Sequence, residues 1–296
     1  VNESDSTHRP LPKGINDPDE YEWDEDGHPR EIVGAWSALH KHELLRRYID
    51  ISGVGVRRNW LKKGTAGATY IDLFSGPSRA RIKSTDEVVD GSPLVAWKQA
   101  QKSSAPFTRI FVADAHPALA EASRVRLAAA GAPAEVFVGD AVKTVDQVIS
   151  RLNPYGLHFA FLDPYSLSVL PFEVIRKLAS LERMDILVHI SASDFNRNLR
   201  RHIEKVPSPI DAFAPGWRDH VGDLKRSDHY VRARILEHWR AQLQTVGMKT
   251  AEVHELVTGP NNQPLYWLAF VARHSRAIEF WEKIRALEPN LQESFI

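Results

Sequence analysis

Residues 70–82, YIDLFSGPSRARI, run from an apolar stretch through a turn and out into arginines. Tyr70, Ile71, Leu73 and Phe74 form a short apolar run broken only by Asp72, which reads as a strand buried on both faces. Gly76 lets a ligand approach the backbone closely, and Phe74 and Pro77 shape the bend. Arg79 and Arg81 follow at once, on the side where a substrate should arrive.

The strand signature recurs downstream. SPLVAWKQAQ reads as a helix, TRIFVAD as a strand, PALAEASRVRLAAAG as a helix, AEVFVGD as a strand and KTVDQVISRL as a helix. GLHFAFLD, PFEVIRKLASL and MDILVHIS continue as strand, helix and strand, and a polar, basic stretch leads to the long helix DHYVRARILEHWRAQLQTVG. This alternation predicts an α/β fold with a mostly parallel sheet and helices on both faces. The chain then changes character. TAEVHELVTG and LYWLAFVARH, joined by PNNQ, predict a C-terminal hairpin that adds an antiparallel strand, with the amphipathic helix SRAIEFWEKIRALE to cover it.

Upstream, SALHKHELLRRYIDISGVGVRRNW carries Leu39, Leu44, Leu45, Tyr48 and Ile49 at near-helical spacing, with Ser37 as the expected N-cap and a basic face. Residues 1–34 lack such periodicity and read as an acidic N-terminal extension, an arm that Tyr21 and Trp23 can dock. Residues 35–296 then form the α/β domain, including a basic helical insertion around 195–245.

The 296 residues suffice for one large α/β domain. The absence of cysteine excludes disulfides, Cys-ligated zinc, iron–sulfur clusters and thiol nucleophiles. No apolar run approaches a membrane span and the first residues are polar, so a soluble, cytoplasmic protein without a membrane partner is expected. The 38 basic and 38 acidic residues cancel, but DPDEYEWDEDGHPRE at 17–31 is strongly acidic, so the rest of the chain carries a compensating basic excess suited to an anionic partner.

Successive strands carry aspartates: Asp72 inside the first, then Asp114, Asp140 and Asp163 at the ends of the next three. In an open α/β sheet ligands bind beyond the carboxyl ends of the strands, where a carboxylate can accept hydrogen bonds from hydroxyls or amines. Each aspartate alone could simply cap the following helix. Four in succession favour a site.

DLFSGPS, VADAHPALAE, VGDAV and LDPYSL resemble successive motifs of class I methyltransferases, which bind S-adenosylmethionine on a Rossmann-like sheet. More narrowly, HKHELLRRYI, YIDLFSGPSR, DGSPLVAW, FLDPYSL and DILVHIS resemble the three-Cys-motif partner protein family, TcmP. The resemblance implies that the turn of Asp72, Phe74, Gly76, Pro77 and Ser78 cradles the methionine part of the cofactor. It implies that Asp114 binds the ribose, that Asp140 and Ala141 lie by the adenine, and that Asp163, Pro164 and Tyr165 face the substrate as catalytic residues. The usual Gly-x-Gly-x-Gly is replaced by Phe74, Gly76 and Ser78, which puts a Ser78 side chain near the cofactor. DPYS resembles the Asp-Pro-Pro-Tyr signature of methyltransferases acting on amino groups, with Tyr165 in place of the second proline and Ser166 in place of the aromatic residue.

Methyl transfer from a sulfonium works largely through positioning. The expected activity is S-adenosylmethionine-dependent methylation of an amino group in nucleic acid, with no metal. Arg79 and Arg81 are candidate phosphate contacts, as are Arg197, Arg200 and Arg201 of NRNLRRHIEK; RRNWLKK from Arg57 is a third basic cluster. The acidic arm can pair with such a face as a mimic of the substrate. His40 and His42 diverge on a helix, while His189 ends a strand. The alternative reading is a noncatalytic partner subunit that keeps the fold to bind cofactor, nucleic acid or the Cys-motif protein implied by the family. A nicotinamide-dependent oxidoreductase fits the sheet but lacks the Gly-x-Gly-x-x-Gly turn.

Overall fold

The computed structural model describes residues 10–15, 19–64, 66–251, 255–258 and 264–286. The arm contributes strands β1 (Tyr21–Trp23) and β2 (Pro29–Val33). Helix α1 (Ala35–Ser52) starts at Gly34, ahead of Ser37, and continues through a π-helical turn, Gly53–Arg57, into α2 (Arg58–Lys62). Strand β3 (Ala68–Asp72) leads into the turn, after which β4 (Arg79–Ile82) and β5 (Val88–Asp90) form a hairpin before α3 (Ser92–Lys102). Regular alternation follows: β6 (Arg109–Asp114), α4 (Pro117–Ala129), β7 (Ala134–Val138), α5 (Ala141–Ile149), β8 (Leu157–Leu162), α6 (Phe172–Leu178) and β9 (Met184–Ser191). Helices α7 (Ala192–Glu204), α8 (Pro209–Phe213), α9 (Trp217–Val221) and α10 (Asp228–Thr245) form the predicted helical stretch. Strands β10 (Lys249–Thr250), β11 (Glu255–Thr258) and β12 (Pro264–Ala272) and helix α11 (Ser275–Ala286) complete the described chain, and the expected PNNQ turn lies outside the described residues.

The main sheet runs β10-β12-β9-β8-β3-β6-β7, with β11 also pairing β12. The five strands from β9 to β7 are parallel, and β12 is antiparallel to β9. The expected C-terminal antiparallel strand therefore forms. From β3 the chain steps outward to β6 and β7, then returns to β8 on the other side of β3, so strand order reverses between β3 and β8.

Alternate strand residues feed two cores. Ile71, Phe111, Ile186 and Val188 pack with α5, α6 and α10 on one face. Tyr70, Ile110, Val112 and Leu187 pack with α1, α3 and α11 on the other. Both faces are apolar, which is why these strands read as continuous hydrophobic runs.

A second sheet, β1-β2-β4-β5, was not legible as such: β2 lies parallel to β4, so part of the expected irregular arm is a sheet laid against the hairpin after the turn.

Candidate active site

The turn after β3 is built by backbone geometry. Gly76 has φ of +52° and Ser78 of +61°, both left-handed; a Cβ on Gly76 would lie 2.5 Å from Oε1 of Glu31. Asp72 is fully buried and accepts from Ser92 Oγ at 2.6 Å, Phe74 N at 3.1 Å and Tyr70 Oη at 3.1 Å. Burial pushes its carboxyl up to about 7, against those three hydrogen bonds. Asp72 therefore braces the turn from behind. Ser78 also faces inward: its Oγ lies 2.6 Å from Ser123 Oγ on α4, so it sits outside the main cleft, and Pro77 offers its carbonyl to Arg126 at 2.7 Å.

Beyond the carboxyl ends of β3, β6, β7 and β8 opens a cleft of about 820 Å³ at the strand-order reversal. Phe74, Gly76, Asp114, Asp140, Ala141, Asp163 and Tyr165 all line it. Asp114 accepts from Gly76 N at 3.1 Å and His116 N at 2.7 Å, tying the turn to β6, and burial raises its pKa. Asp140 caps α5 through Lys143 N at 2.9 Å and pairs with the Lys143 ammonium, which holds its carboxyl below the usual range. Asp140 thus both caps α5 and lines the cleft.

At the β8 end of the cleft, Asp163 Oδ2 meets Lys41 Nζ of α1 at 2.5 Å. Its Oδ1 lies 3.0 Å from His189 Nδ1, close but off the angle of a hydrogen bond. Burial raises the Asp163 pKa, but Lys41 and His189 outweigh it and hold the carboxyl below its ordinary value. Burial lowers His189 to about 4 and His42 to about 3, so both rings are neutral at neutral pH. Pro164 contributes its backbone beside His189, while Tyr165 stands 80% exposed at the rim.

The far wall comes from the arm. Ile15, Tyr21 and Glu31 line the cleft, and Lys13 O lies 2.9 Å from His116 Nε2. Glu31 is pushed up to about 7, first by burial and also by Asp163, Asp114 and Asp72, with Lys41 opposing. Lys41 and Glu31 were missed in the sequence. Lys41 left a trace, for it falls in helical phase with the buried Leu45, Tyr48 and Ile49. Glu31 left none within an acidic run.

The arginines after the turn face the arm. Arg79 pairs with Asp24 at 3.0 Å and Asp26 at 3.6 Å; Arg81 pairs with Glu22 at 2.7 Å and Asp86 at 2.6 Å. Beneath them Arg126 of α4, side chain 2% exposed, reaches Asp24, Asp26 and the carbonyls of Pro29 and Pro77. Arg197, Arg200 and Arg201 are exposed on α7, Arg200 bonding Asp228 Oδ1 at 2.6 Å. The third basic cluster lies at the opposite end of the sheet: Trp60 Nε1 donates to Gly67 O at 3.0 Å just before β3, and Arg57 is buried against the Ala105 and Ile49 carbonyls. The basic clusters therefore do not all share one edge.

The reversed strand order, the antiparallel strand beside β9 and the cleft at the switch point define a class I methyltransferase-like fold. By sequence, no family model and no curated protein matches the chain. By structure it is similar to protein LPL1258 of Legionella pneumophila, of the DUF519 family, at 13% identity and TM-score 0.51 over 86% of this chain and 92% of that one. It is also similar to an O-methyltransferase of Bacillus cereus in complex with SAH, at 13% identity and TM-score 0.45, covering 79% of this chain and 80% of that one. The O-methyltransferase TomG of Streptomyces achromogenes, in complex with SAM, gives 15% identity and TM-score 0.39 over 79% and 89% of the two chains. At such identity the likeness to LPL1258 speaks for the fold alone and leaves the chemistry to the site.

Proposed function

We propose that the chain is an S-adenosylmethionine-dependent methyltransferase acting on an amino group of nucleic acid, and that it belongs with the TcmP family its motifs resemble. The observation that carries the reading is the negative cleft at the switch point. Glu31, Asp114 and Asp163 face one cavity, and Glu31 is pushed up to about 7 in part by the other carboxylates. A ligand carrying positive charge relieves that crowding. Bound there, S-adenosylmethionine supplies a methyl group on a cationic sulfur and a methionine ammonium.

The residues suit positioning more than proton removal. Asp163 is held below the ordinary carboxylate range, which makes it a hydrogen-bond acceptor that orients an acceptor N–H. Tyr165, exposed at the rim, offers a ring on which a base can stack. On this reading Asp114 at the end of β6 takes the ribose hydroxyls, and Asp140 with Ala141 the adenine.

One arrangement favours a second reading, the noncatalytic or partner-dependent subunit. Lys41 occupies Asp163 and the arm walls the cleft, so an acceptor amine must displace the ammonium to use that oxygen. A Cys-motif protein is the proposed partner on that reading.

Calorimetric titration with S-adenosylmethionine and S-adenosylhomocysteine tests the cofactor. Saturable binding that weakens about tenfold or more in Asp114→Ala is expected, a loss of about 1.4 kcal/mol. Methyl incorporation into RNA or DNA should vanish in Asp163→Ala while cofactor binding persists. Absence of binding in the isolated chain, restored on copurification with a partner, would favour the second reading.

A further inference from the structure

Beside Asp163 lies a small polar chamber of about 90 Å³, which shares Glu31, Phe74 and Asp163 with the cleft. Phe159 and Phe161 of β8 point to the sheet face covered by α1 and α3, and Asp163 continues that phase beyond the strand. Lys41 and His42 of α1, Ser75 of the turn and Arg79 of β4 complete the polar lining used here.

The chamber holds more carboxylates than available cations. Arg79 is committed to Asp24 and Asp26, and the rings of His42 and of His189, beside Asp163, are neutral at neutral pH. That leaves the Lys41 ammonium for two carboxyls. It pairs with Asp163 Oδ2 at 2.5 Å, the side chains being 13% and 19% exposed. The Glu31 carboxyl makes no hydrogen bond or ion pair among the described residues, and Lys41 is the leading charge opposing its protonation. Other buried carboxyls nearby are satisfied: Asp72 takes three hydrogen bonds behind the turn, and Asp114 takes two from backbone N–H groups.

Asp163 can orient an acceptor through Oδ2 only when that oxygen is released. An ammonium driven into a buried space without a counter-charge is strongly unfavourable, so Lys41 needs a second carboxylate within its reach. The chamber has room for more than one water, and a lysine's flexible stem can carry its charge across it.

We propose that Lys41 is a positioning residue with two stations: it holds Asp163 while the acceptor site is empty, and crosses to Glu31 when an acceptor amine takes Asp163 Oδ2. Where Glu31 carries a proton, the crossing releases it to solvent. Glu31 lines both cavities and an ionised carboxylate accepts on two oxygens, so it can face cofactor and lysine together. The inference rests on the methyltransferase reading for the acceptor, while the two stations belong to the chain itself.

The first test needs neither cofactor nor acceptor. Asp163→Asn replaces the first station by a neutral amide, and the Glu31 titration is followed in the full chain by carbon-13 NMR of its carboxyl, assigned through Glu31→Gln. Lys41→Met should raise the Glu31 midpoint more in the presence of Asp163→Asn than in its absence, by about one pH unit or more, a tenfold change in proton affinity. An equal effect in the two backgrounds would overturn the proposal. A second measurement uses the conservative Glu31→Gln at saturating S-adenosylmethionine, with single-stranded RNA and DNA oligonucleotides of mixed sequence. Methyl incorporation should fall about tenfold or more, and adding Lys41→Met should recover most of it, because the lysine left without a second station is then gone. A loss that deepens on adding Lys41→Met would also overturn the proposal. Absence of methyl transfer in the wild type would count against the methyltransferase reading alone, and the carboxyl titration would then decide the two stations.

Discussion

Glu31 and Asp72 are both raised to about 7, yet only Glu31 lines the large cleft. A cationic cofactor beside Glu31 should therefore expel its proton. Titrating S-adenosylmethionine near pH 7 in buffers of different ionisation enthalpy should show release of up to about half a proton, the share Glu31 holds where pH matches its pKa. S-adenosylhomocysteine, without the sulfonium charge, should release less, and Glu31→Gln should abolish the release. Asp72 predicts an effect on stability instead. Its pKa rises from 3.8 in the open chain to about 7 in the fold, so the folded state binds the extra proton between those values. Its contribution is complete below about pH 4 and is lost as pH climbs through 7. Asp163 runs the other way, its lowered pKa favouring the fold above its ordinary value. Asp72→Asn, measured by denaturant unfolding from pH 4 to 8, should flatten the decline.

Among elements, the arm's two strands depend on one buried cation. Arg126 joins Asp24 and Asp26 to the carbonyls of Pro29 and Pro77, tying β1, β2 and the turn after β3 to α4. Removing one member of a buried ionic cluster leaves charge uncompensated, at a cost of about 3–5 kcal/mol. Arg126→Met should destabilise the protein on that order and open the arm to limited proteolysis before the main sheet unfolds. Equal protection of the arm in wild type and variant would show that the β2–β4 pairing alone holds it. The hairpin had left a signal: RARI alternates half-buried arginines with the buried Ala80 and Ile82. That alternation belongs to a sheet, though it reads first as a basic loop.

Across the whole molecule, segregated charge becomes an internal contact. The acidic run lies against the arginines after the turn, which leaves the net charge at zero while one face is self-neutralised. If the arm stands in for an anionic substrate, Glu22→Gln, which leaves the Arg126 cluster intact, should tighten nucleic-acid binding. It should also steepen the dependence of log affinity on log salt by about 1–2, close to one per phosphate newly contacted. An unchanged slope and affinity would remove the mimicry reading. The RRNWLKK cluster takes no part, because Arg57 is committed to backbone carbonyls and Trp60 to Gly67 O at the far end of the sheet.

Apart from the β4–β5 hairpin, the order of strands and helices from Ala68 to Ser191, and the aspartates at their ends, were determined by the sequence alone, because hydrophobic periodicity and strand termini are local properties of the chain. The antiparallel C-terminal strand was equally legible from its change of pattern. Which aspartates reach the cleft was decided only in three dimensions. Asp72 and Asp114 end neighbouring strands, but the turn folds over one and leaves the other open. The partners of Asp163 come from positions 41 and 189, and those of Arg79 and Arg81 lie in the arm. Such pairings depend on how the sheet brings distant segments together. A side chain's neighbours across the fold, unlike its periodicity along the chain, are written only in the packing.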